Sequence, residues 1–192
     1  MIEQKDVIVV DITDKILEGA GDILEGVDYY PPSKWKALHR TREEDSKSRT
    51  VMSIGKAGML DYIDGELQIG GMDDGDKYDI IRNNTKISVK TFTNHWQPVP
   101  INHTAIFPSH NLENLIGAEI YMVVCVCLDE QKLNIVGVIS KERLKEIAVP
   151  CDKGEMIGVG KKYPAVAEGL WIQYNQLDPF VLEEWNDKVA TA

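Results

Sequence analysis

The run Lys77-Tyr78-Asp79-Ile80-Ile81-Arg82-Asn83-Asn84-Thr85-Lys86-Ile87-Ser88-Val89-Lys90 constrains the fold more than any other part of this sequence. Two short segments rich in β-branched residues flank Asn83-Asn84. Asn tolerates the positive φ that tight hairpin turns demand, so the run predicts a β-hairpin. A two-residue turn at Asn83-Asn84 sets 82 opposite 85, 80 opposite 87 and 79 opposite 88. With side chains alternating between faces, Tyr78, Ile80, Ile87 and Val89 form an apolar set for the core. Asp79 and Ser88 face each other on the other side, with Lys90 diagonal to Asp79. Such neighbours lie within roughly 5–8 Å. A four-residue loop keeps this register. A three-residue loop slips it and moves the acid away from the lysine.

The chain has 192 residues, 43% of them hydrophobic, enough for a folded core. Its length suggests one main domain over 33–192, with residues 1–32 as an N-terminal strand and helix appended to it. The start, Met-Ile-Glu-Gln-Lys-Asp, has no basic region or long apolar segment, so no signal peptide is expected. The longest apolar run, Ile120 to Leu128, is far short of a membrane span. Three cysteines, two of them inside that run, make no disulfide framework, which points to a reducing cytoplasm. The net charge of -10 argues against broad electrostatic binding of nucleic acid. One segment runs the other way. Lys34, Lys36, Arg40, Arg42, Lys47 and Arg49 stand against Glu43, Glu44 and Asp45.

Periodicity and punctuation order the rest. Asp6 to Ile12 predicts a strand, and Thr13 caps a helix over 14–24. Tyr29-Tyr30-Pro31-Pro32 is a rigid break. Ser33 caps a second helix that carries the basic segment and continues through Val51 to Ile63. Gly55-Lys56-Ala57-Gly58 within it permits close backbone packing. Gly70 to Asp76 is an acidic loop. His103 to Phe107 predicts a strand, Glu119 to Leu128 a buried strand, and Leu133 to Ile139 its partner. Ser140 caps a helix over 141–148. Leu170 to Tyr174 is the last strand, and Asp178-Pro179 opens a short terminal helix.

An Asp on one strand, followed about ten residues later by an [Asp/Glu]-x-Lys triplet on its partner, resembles the signature of the PD-(D/E)xK nuclease superfamily. Asp79 matches the Asp, and Ser88-Val89-Lys90 the triplet, with Ser in the acid's place. The run Ala118 to Val124, then Ile135-Val136-Gly137-Val138-Ile139-Ser140-Lys141-Glu142-Arg143-Leu144, resembles the core strand, second strand and helix of small bacterial and phage nuclease-like proteins. Trp171-Ile172-Gln173-Tyr174 with Leu177-Asp178-Pro179 fits the same pattern, so the resemblance spans roughly 51–180.

The resemblance implies an α/β fold of restriction-endonuclease type, a mixed central sheet flanked by helices on both faces. It implies a metal-dependent DNA endonuclease using Mg²⁺ or Mn²⁺, with DNA as partner, no membrane, and a homodimer as one option. A divalent ion polarises the phosphate and activates water, and Mg²⁺ needs only one or two carboxylates. Asp79 and the Val89 carbonyl would hold the metal, and Lys90 would orient the water and stabilise developing charge. Two departures bear on this. With Ser88 in the acid's place, Glu113 is the candidate displaced carboxylate. The preceding helix, where the superfamily often has Gly-x-x-Gly-Glu, reads Gly55-Lys56-Ala57-Gly58-Met59, leaving Asp61 or Glu66 to substitute. The alternative is a nuclease-fold protein that has lost catalysis and serves as a DNA- or protein-binding regulatory module. A third is an acidic mimic of DNA.

Plainer readings stand beside these. Asp79 and Lys90 suit a cross-strand charge pair, and residues 34–49 a solvated helix face instead of a DNA-phosphate contact. Asp73, Asp74 and Asp76 lack the spacing of a calcium loop. Cys125 and Cys127 suit packing. His95, His103 and His110 lack metal-ligand spacing.

Overall fold

The computed structural model describes residues 2–25, 42–67, 78–95, 97–108, 118–160, 163–165 and 168–182. Among them are three α-helices: α1 (Asp14–Glu25), α2 (Arg42–Ile63) and α3 (Lys141–Ile147). The larger sheet is built from β1 (Ile8–Asp11), β2 (Glu66–Leu67), β3 (Ile80–Arg82), β4 (Thr85–Thr93), β6 (Ile120–Cys127) and β7 (Lys132–Ser140). Its order is β1-β7-β6-β4-β3-β2. All pairings are antiparallel except β4 with β6. A three-stranded sheet joins β5 (Thr104–Pro108), β11 (Gly169–Gln173) and β8 (Val149–Cys151), and β9 (Met156–Ile157) pairs with β10 (Tyr163–Pro164). The chain is thus mixed α/β.

The predicted hairpin forms at the predicted turn. Asn83 and Asn84 both have positive φ, 49° and 61°, and Ile80 pairs with Ile87 and Arg82 with Thr85. Ile80, Ile87 and Val89 face α1 and α2 and share a core with Ile16, Ile54, Met59, Met122, Val124 and Ile135. Each Ile that leaves water there contributes about 1.5–3 kcal/mol. The helix-to-sheet distance is set by glycines. A Cβ on Gly55 would press into the Thr91 side chain, and one on Gly58 would meet Leu133 Cδ1 at 3.0 Å. The predicted cap of α1 is present, with the Ile16 N–H donating to Thr13 Oγ1 at 3.4 Å, and Ser140 Oγ accepts from the Arg143 N–H at 3.2 Å to cap α3.

The opposite face differs from the expectation of helices on both sides. Tyr121, Val123, Cys125, Val136 and Ile139 pack there against Leu144 of α3, but also against Ala105, Phe107 and Ile172 of the three-stranded sheet. A seven-residue helix is too short to cover this face, so a second sheet completes the layer. Cys125 and Cys127 are buried free thiols, as packing required.

The N-terminal segment, expected as an appendage, adds β1 to the edge of the large sheet, and Ile16, Ala20 and Ile23 of α1 enter its core. The expected boundary at 32–33, the Ser33 cap and the 70–76 loop lie outside the described residues. Asp178 does not itself open the expected terminal helix: the first helical residue after it is Leu182, and the residues that follow Leu182 lie outside the described ones. Asp178 exchanges backbone hydrogen bonds with Val138 at 2.8 and 2.9 Å, and a Cβ on Gly137 would meet the Asp178 carbonyl at 2.7 Å.

Candidate functional site beside strand β4

One irregularity places the site. Ile80 is the register partner of Ile87, yet the Asp79 N–H also bonds the Ile87 carbonyl, at 2.7 Å. Ile80 and the residue just before β3, Asp79, thus both oppose Ile87 of β4, the pattern of a β-bulge, a device that re-aims a side chain. The extra residue reverses the alternation before it. Tyr78, expected beside Ile80, packs into the core on the other face.

Asp79 is turned towards the edge of β4. The Val89 N–H donates to Asp79 Oδ2 at 2.7 Å, and Ser88 Oγ donates to the same oxygen at 3.0 Å. The carboxylate therefore takes the place of a neighbouring strand's carbonyl and lies where both faces of the sheet can reach it. From the α2 face, Lys56 Nζ lies 2.7 Å from Asp79 Oδ1; these side chains are 23% and 18% exposed. Val89 faces the α2 side, so Lys90, the next residue, projects from the opposite face.

The electrostatics follow from this geometry. Burial pushes the Asp79 carboxyl up, but the Lys56 charge, then the Lys90 charge, and the hydrogen bonds from Lys56 and Val89 outweigh it, holding the group below its usual range. Lys90 is pushed down, chiefly by burial, with Asp79 opposing and Lys56 adding to the fall. The described site therefore gathers two ammonium groups around one carboxylate.

The other expected site residues are placed differently. Asp61 lies five residues beyond Lys56, roughly 140° around the helix, and pairs with Lys15 of α1. Glu66 is exposed on β2 opposite Ile81 and is not among the charges that act on Asp79. Met59, in the acid's place, is fully buried. Glu113, Lys34, Lys36, Arg40 and the Arg42 side chain lie outside the described residues. Arg49, expected to contact DNA phosphate, is only 5% exposed. Lys47 is exposed and pairs with Glu43 one turn away, at 2.8 Å.

Lys56 was absent from the expected set. Its signal was its position: a lysine between two glycines of a close-packed helix has to emerge at the helix–sheet seam. The donors present suit a divalent ion poorly. An ion at Asp79 would have to displace Lys56, and no group of three or more acids, histidines or cysteines suited to a metal forms among the described residues. The lysine pair suits an anion instead. No protein-family model, curated protein or solved structure matches this chain.

Proposed function

We propose that this chain is a restriction-endonuclease-like protein that binds the DNA backbone without cutting it. The observation that carries this reading is Lys56 on the open oxygen of Asp79. In a cleaving site that oxygen would be offered to a metal. Ser88 and Met59 stand where the superfamily has acids, so the described site holds a single carboxylate. The element order supports the fold assignment. Helix α2 leads into the hairpin with Asp79 and Lys90, then come core strand β6, strand β7 and helix α3, in the order on which the sequence resemblance rests. Lysine ammonium groups are point-charge ligands for phosphate oxygens, and phosphate contacts supply affinity irrespective of sequence.

Plasmid nicking with Mg²⁺ or Mn²⁺, beside salt-dependent DNA binding, tests the proposal. The expected result is binding that falls steeply with salt and no nicking. Metal-dependent nicking that disappears in Asp79→Ala would overturn it in favour of an active endonuclease, with Glu113 as the first candidate for the missing acid. Absence of DNA binding at low salt would overturn the DNA reading itself.

A further inference from the structure

We propose that Lys56 is the resident cation of this site, and that Lys56 and Lys90 together clamp one phosphate group without a metal ion. This clamp presupposes the DNA-binding reading above for its natural ligand, a backbone phosphodiester. Two ammonium groups approach Asp79 from opposite faces of the sheet, and the carboxylate neutralises one of them. Among the described residues Lys90 has no ion pair of its own, although it is half-buried. Its counter-charge is Asp79, which it shares with Lys56. A partly desolvated ammonium that shares its counter-ion is costly, and an arriving anion offsets that cost. The Lys56 charge acts on Lys90. A phosphate presents several oxygens, so one can meet Lys90 while another meets Lys56. Ser88 Oγ, which donates to Asp79 in the free protein, is a further donor beside them.

Asp79 then has an unusual role. It holds Lys56 in place when the site is empty and competes with the phosphate for it on binding. That reverses the sign expected of a metal ligand. Removing the Asp79 charge strengthens anion binding, whereas removing a metal-binding carboxylate weakens it.

The test uses the full chain and a short duplex oligonucleotide, with binding read by fluorescence anisotropy across a salt series in EDTA. Asp79→Asn is expected to bind several-fold tighter than wild type. Lys56→Met and Lys90→Met are expected to bind about tenfold weaker, each with a salt slope lower by about 1. Lys56→Arg keeps the charge and is expected to retain binding, and the exposed Lys153→Met serves as the control. Thermal melts check that each variant is folded. If Asp79→Asn misfolds, the contrast between Lys56→Met and Lys56→Arg decides the case. Weaker binding by folded Asp79→Asn, a requirement for Mg²⁺, or an unchanged slope in both lysine variants would overturn the clamp.

A second arm measures thermal stabilisation by inorganic phosphate, so the clamp is tested even if DNA is not the ligand. Stabilisation of wild type that is lost in Lys56→Met and Lys90→Met, without DNA binding, would sink the DNA reading and leave the clamp standing. DNA binding that both substitutions leave intact would do the reverse. Neither DNA binding nor phosphate stabilisation would sink both.

Discussion

Lys56 Nζ lies 2.7 Å from Asp79 Oδ1, joining a helix to the bulged start of a strand across the edge of the sheet. Both side chains are mostly buried, so the pair is shielded from water and salt more than a surface bridge. Lys56→Met leaves the carboxylate with one partner fewer and is expected to cost roughly 1–3 kcal/mol, below the figure for a fully buried pair. Urea unfolding of Lys56→Met, Asp79→Asn and the double variant measures it. A coupling energy near zero would mean that the pair is incidental.

Acid titration gives a second prediction. Asp79 is held below its ordinary range when folded, so the unfolded chain takes up its proton first, near pH 3.9. The stabilisation from the ionised group is fully present above that pH and is lost as pH falls through the lower folded value. The stability advantage of wild type over Asp79→Asn should therefore shrink as pH drops below about 4. A difference that stays constant from pH 6 to pH 2 would contradict the assignment.

Lys90 carries the opposite cost. Its ammonium is pushed down mainly by burial, so the charged form is less at ease in the folded protein than in the unfolded chain. Lys90→Met is expected to raise the melting temperature at neutral pH while weakening anion binding, the trade common at functional sites. A lower melting temperature would show that Lys90 holds the fold together.

Gly55 offers a test of the seam that delivers Lys56. An exposed helical Gly→Ala change stabilises by about 1 kcal/mol. Here the new Cβ would press on Thr91, with Cγ2 at 2.7 Å, and overpacking costs about 1–3 kcal/mol. Gly55→Ala should therefore destabilise, and adding Thr91→Ala should recover most of the loss. Stabilisation by Gly55→Ala alone would disprove the close approach.

The turn gives the simplest prediction. Asn84 has φ 61°, where Gly is at no disadvantage and a β-branched residue is strained by about 1–2 kcal/mol. Asn84→Gly should match or exceed wild-type stability, and Asn84→Val should fall below it by roughly that amount in thermal unfolding.

Much of this molecule was legible because it is local. Asn83-Asn84 defines a two-residue turn, and that turn defines the pairing of Ile80 with Ile87. Ser140 marks the start of α3, and the apolar run before it marks β6. Asp79, Ser88 and Lys90 do come within reach of one another, as the turn suggested, but through the bulge at Asp79 and not through the expected pairing of 79 with 88. Face alternation failed one residue earlier, at Tyr78. A bulge adds a residue without leaving a mark in the hydrophobic pattern, and only the partner strand reveals it.

The sequence by itself determined the hairpin, the acid and lysine on it, and the glycine seam of the preceding helix, because each depends on neighbours a few residues apart. Tertiary structure alone decided that Lys56 meets Asp79, that Asp61 turns away to Lys15, and that Arg49 is buried. Those outcomes depend on how α2 is rotated on the sheet, which core packing over Ile54, Met59 and Ile63 sets. A charge pattern read along the chain contains no such angle. The site expected to offer its acid to a metal instead has that acid held by a lysine, and the difference lies in the docking of one helix.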